Sequence, residues 1–176
     1  LRAATAQGLV TFDEKGRVAP GLANRWIVTD DGMSYIFRLN KGRWNDGREV
    51  ESREVARLLT ARIRELRKGR LGSELGVIDR VVAMTGKVVE IRLKAPMPYL
   101  LELLALPEFG LLSKGAGSGP MQAKKFGQVM QLRRNETDDD GAQFLGNATV
   151  TLWRGTASTA IARYTLGQSD LVEGGR

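Results

Sequence analysis

Turn signals punctuate the first fifty residues so closely that what lies between them has the length of strands. Asp13-Glu14-Lys15-Gly16, Pro20-Gly21, Asp30-Asp31-Gly32 and Asn45-Asp46-Gly47 each combine a glycine with an Asp, Asn or Pro that favours a tight reversal. Between them, residues 9–12 read as a short strand, and residues 26–28 with 33–39 read as a hairpin about Asp30-Asp31-Gly32. In the second arm Met33, Tyr35, Phe37 and Leu39 alternate with Ser34, Arg38 and Asn40, the period of a half-buried strand, and only Ile36 breaks the polar side.

The period then changes. Val55, Leu58, Leu59, Ile63 and Leu66 fall on one side of a helix over residues 53–68, with Ser52 placed to cap it and Gly69 to end it. A second hairpin follows, residues 81–84 with 88–93, turned at Thr85-Gly86-Lys87; Val89, Ile91 and Leu93 alternate with Glu90 and Arg92, which leaves one face wet. A helix with an apolar stripe between two hairpins finds its partner in their shared sheet, so the fold class expected is mixed α/β, of the α+β kind. Pro96 and Pro98 introduce a short, very apolar helix over residues 99–106, which Pro107 stops. It reads as buried core, because no run approaches the roughly 18 uninterrupted apolar residues of a membrane span.

Residues 114–119 are glycine-rich and read as a flexible crossover, and composition changes there, which marks a domain boundary. Beyond it come a strand over 129–133, an acidic loop over 135–141, a strand over 150–153, a helix over 158–166 ended by Gly167, and a strand over 170–172. The last three form a strand-helix-strand unit, which implies neighbouring parallel strands with a right-handed crossover.

Absent residue types exclude whole chemistries. Without cysteine there are no disulfides, zinc-thiolate sites or thiol nucleophiles, and without histidine there is no histidine-based triad and no histidine-ligated metal. Gly115-Ala116-Gly117-Ser118-Gly119-Pro120 suggests a phosphate cradle, but it lacks the Lys-Ser/Thr ending and Pro120 removes an amide. Asp138-Asp139-Asp140-Gly141 lacks the alternate spacing and distal Glu of a calcium loop and reads as a solvated turn. Asp46 and Asp170 stand in turn and strand-end contexts, where structural hydrogen bonding is the default. No enzyme, cofactor or metal reading stands on these residues.

The net charge of +7 gathers in one place. Arg53, Arg57, Arg62, Arg64, Arg67, Lys68 and Arg70 face only Glu54 and Glu65 along the predicted helix. A charge run of this kind reads first as a solvated face. Its alternative is an interaction module that holds an anionic partner, nucleic acid or anionic lipid, through that helix. Nucleic acid is not expected, because aromatic residues are not interleaved with the arginines.

Read in order, Gly8-Leu9-Val10, Asp13 to Gly16, Ala19-Pro20-Gly21-Leu22-Ala23, Trp26, Asp30-Asp31-Gly32 and Trp44-Asn45-Asp46-Gly47 resemble the opening signature of family 5 extracellular solute-binding proteins. Residues 89–104, VEIRLKAPMPYLLELL, are similar to that family's strand followed by P-x-P-x-L-x-x-L-A, and Gly117-Ser118-Gly119-Pro120 to its GTGPY. Leu132-Arg133-Arg134-Asn135 is similar to its L-x-R-N, and residues 157–174 to A-x-x-x-A-L-x-S-G-E-I-D-L-x-x-G. The chain also departs from the pattern. Glu51 and Arg53 replace the usual Thr and acidic residue at the helix start, Met121 stands in place of an aromatic, and Glu136 to Asp139 replace N-P-x-Y-W.

The resemblance implies a periplasmic-binding-protein-like fold of class II. Residues 8–114 would form its extra α+β domain, residues 115–176 a partial first lobe, and residues 1–7 an N-terminal remnant of that lobe. It implies a receptor that captures a small solute, a peptide foremost, and hands it to an ABC transporter permease, outside the cytoplasm and with a lipid anchor allowed. Gly117, Ser118 and Gly119 in the crossover, with Asp170, Glu173 and Gly174 at the end of the final strand, would approach the ligand. The chain opens at Leu1 with no visible secretory signal, so its start is expected to be a processed or trimmed end. The second lobe is expected to lie beyond Arg176, which would leave this length unable to trap ligand alone. An incomplete lobe exposes apolar sheet, so a homo-oligomer burying the region after residue 115 is expected as well.

Overall fold

The computed structural model describes residues 2–134 and 149–173. The chain opens with one helical turn, α1 (Arg2–Thr5), and a small antiparallel pair, β1 (Val10–Phe12) with β2 (Val18–Pro20). The Asp13 carboxylate closes their turn by accepting the amides of Lys15 and Arg17, each at 2.9 Å. The expected hairpin follows as β3 (Ala23–Val28) and β4 (Ser34–Leu39), in which Trp26 stands opposite Phe37. Asp31 reverses it, taking hydrogen bonds from the Thr29 hydroxyl at 2.6 Å and the Met33 amide at 2.9 Å, while Gly32 adopts φ 67°. β2 was not legible in the sequence, since Pro20 looks like a turn residue. It ends an edge strand, where the missing amide costs no ladder bond.

The amphipathic segment forms α2 (Ser52–Leu66), followed by the short α3 (Gly72–Leu75). Then come β5 (Ile78–Met84) and β6 (Val88–Leu93), and the four long strands make one antiparallel sheet in the order β3-β4-β6-β5. Helix α2 lies on this sheet, chiefly on β5, with Val55, Leu59 and Ile63 buried against Tyr35, Phe37, Val89 and Ile91. The apolar segment after Pro98 forms α4 (Leu100–Leu104) and a 3-10 turn at Pro107–Phe109, which add Leu100, Leu104 and Phe109 to the same core.

Two expectations about this half need correction. Ser52 does not cap α2: Glu51 holds the cap position with extended backbone and no side-chain bond, and the Ser52 hydroxyl instead donates to the Gly86 carbonyl at 2.9 Å. One residue inside the helix, Ser52 faces the turn between β5 and β6 and pins the helix start to it. The second face of β6 is not simply wet either. Glu90 is only 7% exposed, because the Ser34 hydroxyl donates to it at 3.0 Å and Arg92 pairs with it at 2.9 Å.

A second, three-stranded antiparallel sheet comprises β7 (Met121–Phe126), β8 (Val129–Arg134) and β9 (Thr149–Trp153), followed by α5 (Ala157–Thr165). Helix α1 packs on β7 and also on the 3-10 turn at Pro107–Phe109, and Arg2 donates to the Gly110 carbonyl at 2.8 Å, so the N-terminal residues lie against both halves. Thr156 caps α5 as its hydroxyl accepts the Thr159 amide, and Arg163 stacks over the Trp153 ring at 3.9 Å from its centre. The expected strand at residues 170–172 does not form, and the strand-helix-strand unit is corrected accordingly. β9 pairs antiparallel with β8, and all five of its residues are exposed, so a short segment with only Leu171 and Val172 to bury gains little beside it. The acidic loop at residues 135–141 lies outside the described residues. Among the described residues no helix is long and apolar enough to cross a membrane.

Candidate functional site

The loop Trp44-Asn45-Asp46-Gly47 is built as a tight reversal, with Gly47 at φ 86° and its amide donating to the Trp44 carbonyl at 2.8 Å. This turn drives Trp44 into the core, where it is 1% exposed and its indole N–H must find an acceptor. Glu54, in the first turn of α2, supplies it at 2.9 Å. The same carboxylate pairs with Arg48 at 3.1 Å and accepts the hydroxyl of the fully buried Ser113. Arg48 in turn reaches Asp46 at 2.7 Å and the Ser113 hydroxyl at 2.8 Å. Burial works against charge on Glu54, but the bonds from Ser113, Arg48 and Trp44 outweigh it and hold the carboxyl below the ordinary glutamate range.

This network steers the glycine segment. Lys114 and Gly115 adopt φ of 52° and 84°, and Ser113 and Ala116 close the reversal by exchanging backbone hydrogen bonds at 2.8 and 2.9 Å. The Asn45 amide then donates to the Gly117 carbonyl at 2.7 Å, and the Gly119 amide to the Thr5 carbonyl at 3.1 Å. A Cβ on Gly117 would lie 1.7 Å from the Thr5 oxygen, and one on Gly119 2.5 Å from the Thr5 carbonyl carbon. The expectation of a flexible crossover is therefore corrected. The glycines serve close backbone approach to α1, and the Gly119 amide is committed to Thr5 rather than turned toward a phosphate.

Ser118, between the two clamped glycines, lines a small open cleft with Gln7, Leu22, Asn40, Arg43 and Val50 among its walls. Its hydroxyl oxygen is buried and has no hydrogen-bond partner among the described residues. Asn40 is already committed, its amide donating to the Gly21 carbonyl at 2.9 Å, and Arg43 donates to the Gly47 carbonyl at 2.8 Å. No carboxylate lines this cleft, so the Ser118 hydroxyl has no base beside it. Such a wall can hold a polar group by hydrogen bonding.

The structure thus gathers Gly117, Ser118 and Gly119 with the Trp44 loop and α1. It does not bring Asp170 or Glu173 into hydrogen-bond contact with them: both are exposed on the segment after α5. Gly174 lies outside the described residues. Glu54, Ser113 and Thr5 are the supporting residues that sequence reasoning missed. A buried tryptophan and a glutamate ten positions on at a helix start could have signalled the first of them, but nothing marked Thr5.

The basic row of α2 is partly structural. Arg62 donates to the Glu108 carbonyl at 2.5 Å and pairs with Glu65 at 2.6 Å, and Arg67 donates to the carbonyls of Leu75 and Ile78. Two of its seven cations are thus folded back onto the chain.

A family profile described as bacterial extracellular solute-binding proteins, family 5 middle, matches residues 17–151. The chain belongs to this family. Among curated relatives of this family 5 chain, a Brucella ovis protein named a candidate ABC transporter peptide-binding protein is 29% identical, in an alignment that covers 72% of this chain and 28% of the relative. Two solved structures share the fold. One is a periplasmic binding protein, MoaA from A. tumefaciens in complex with mannopinic acid, with a TM-score of 0.76 at 20% identity, covering 96% of this chain and 38% of that one. The other is the DppA periplasmic binding protein of Helicobacter pylori in complex with the peptide STSA, with a TM-score of 0.73 at 18% identity, covering 94% and 40%. The fold is accordingly mixed α/β of the periplasmic-binding-protein type. This family 5 chain spans little more than a quarter of the Brucella relative and about two-fifths of the two solved structures. The family is defined by binding solutes and not by a reaction.

Proposed function

We propose that the chain forms one wall of the solute pocket in a receptor that captures a small solute, a peptide foremost, and delivers it to an ABC transporter permease outside the cytoplasm. The observation that carries this reading is the unpartnered, buried hydroxyl of Ser118, set in an open cleft between two clamped glycines and inside the stretch matched to the family. A backbone that cannot move presents a hydrogen-bonding group in a fixed position, which is what capture with little ordering cost requires. Residues 8–114 are read as the extra domain. Residues 115–176 are assigned to the ligand-holding lobe together with residues 1–7, and the packing of α1 on β7 and of Thr5 on Gly117 and Gly119 supports that assignment. Asp170, Glu173 and Gly174 are proposed to approach the ligand from the segment after α5. The facing wall is proposed to come from sequence beyond what is matched here, and the exposed apolar face of β9 and α5 to be covered by it or by a second copy.

Thermal melting with a mixture of di- and tripeptides tests the shared pocket. Residues 1–176 alone are expected to show no shift, while a receptor spanning the relatives' full length does. Tight peptide binding by residues 1–176 alone would overturn the proposal. In the full-length receptor, Ser118→Ala is expected to weaken peptide binding about tenfold, the equivalent of one lost hydrogen bond.

A further inference from the structure

The face of the four-stranded sheet turned away from α2 breaks a rule of strand pairing. On it Arg25 of β3 stands directly opposite Arg38 of β4, and Arg80 of β5 directly opposite Arg92 of β6. Like charges directly opposite each other destabilise a strand pair. Arg80 and Arg92 are partly compensated, by Asp79 at 2.8 Å and Glu90 at 2.9 Å. Arg25 and Arg38 are both exposed, and neither has an acidic partner among the described residues. On the same face Val88 and Met84 continue the row of Arg25 and Arg38, and Ile27, Ile36 and Val82 stand in the next row with Glu90; Ile27 is 66% and Met84 44% exposed. The one carboxylate in the middle, Glu90, is buried and bound by Ser34 and Arg92, so it adds no open negative charge. An exposed arginine pair with no acidic partner among the described residues leaves positive charge open to an anionic surface.

We infer that this face, with Arg25 and Arg38 at its edge and Ile27 and Met84 standing out from it, rests on the surface of an anionic phospholipid bilayer. Arginines binding headgroup phosphates beside apolar side chains that dip into the boundary suit such a surface. A second copy of the chain is the wrong occupant, because two such faces would set arginine against arginine. Nucleic acid is the wrong occupant as well: Trp26, Tyr35 and Phe37 lie in register on the side that meets α2, which leaves no aromatic ring here for stacking. An acidic protein is the competing occupant: it would meet the arginines but leave Ile27 and Met84 without an apolar phase to enter, and polyglutamate in the test below stands in for it. The inference is independent of the solute pocket.

Co-sedimentation with phosphatidylcholine vesicles, with and without one-third phosphatidylglycerol, tests it. At low salt the chain is expected to partition onto the anionic vesicles at least about tenfold more strongly than onto the neutral ones, and to lose that preference at high salt. R25E/R38E should bring partitioning down to the neutral level, while R53E/R64E on α2 should leave it unchanged. R25Q/R38Q removes the repulsion, so it should melt no lower than the parent chain and still lose the preference; this keeps the test decisive if the glutamate variant fails to fold. Equal partitioning onto both vesicles would overturn the inference. So would a loss confined to the α2 variant, or a preference for polyglutamate over the anionic vesicles.

Discussion

Glu54 joins four parts of the chain through one carboxylate: the Trp44 indole, the Arg48 guanidinium, the Ser113 hydroxyl and the start of α2. Its removal strands a buried indole N–H and a buried hydroxyl together. Glu54→Ala is therefore expected to cost about 3 kcal/mol in urea denaturation, the range for breaking a buried charge-assisted network. Protonation should act in the same direction. Glu54 and Glu90 are both held below the ordinary glutamate range when folded, Glu54 by its bonds overcoming burial and Glu90 chiefly by the hydrogen bond from Arg92. Their stabilisation is complete above the unfolded glutamate pKa and is lost as pH falls through the lower folded values. The melting temperature should fall on that acid side, and E54Q/E90Q should flatten the fall; an unchanged slope would refute the linkage. At Gly117 the constraint is steric. Gly117→Ala places a Cβ 1.7 Å from the Thr5 oxygen, which only backbone movement can relieve, and is expected to cost about 3 kcal/mol or more in the same assay.

Among the elements, α2 was the most legible and its start the least. Val55, Leu59 and Ile63 are buried where the period placed them. The cap went to Glu51, whose side chain makes no capping bond, while Ser52 turned to Gly86. Glu51→Asp keeps the charge and shortens the side chain to a length that can accept an amide of the first turn. It is expected to raise stability by about 0.5–1 kcal/mol, read as a higher urea midpoint with an unchanged slope. The turns at Asp13, Asp31 and Gly47 formed where the residues placed them, because an Asx bond and a positive φ are settled within four residues. β7 was not legible in the sequence, and the strand expected at residues 170–172 does not form. Met121 to Phe126 shows no clean alternation, and it is a strand because β8 and α1 lie beside it. Leu171 and Val172 have the right composition for a strand but no buried surface to meet.

At the scale of the whole molecule, the two sheets differ in how much they hide. The four-stranded sheet buries Tyr35, Phe37, Val89 and Ile91 beneath α2, whereas Trp153, Ile161, Tyr164 and Leu166 around β9 and α5 are each more than half exposed. Exposed apolar side chains in such number promote association. Light scattering on residues 1–176 is expected to show a dimer or larger species, and I161S/L166S to shift it toward monomer; a monodisperse parent chain would contradict this. The sequence by itself determined the turns, the strand and helix periods, the chemistries excluded by the lack of cysteine and histidine, and the family. Each of these is written in neighbouring residues or in their order. Only the tertiary structure decided that Ser113 would meet Glu54, that Thr5 would clamp Gly117, that Ser118 would be left without a partner, and that Arg25 would face Arg38. The reason is physical: which polar groups find partners and where two backbones touch depends on how burial and strand register bring distant segments together, and no local pattern encodes that meeting.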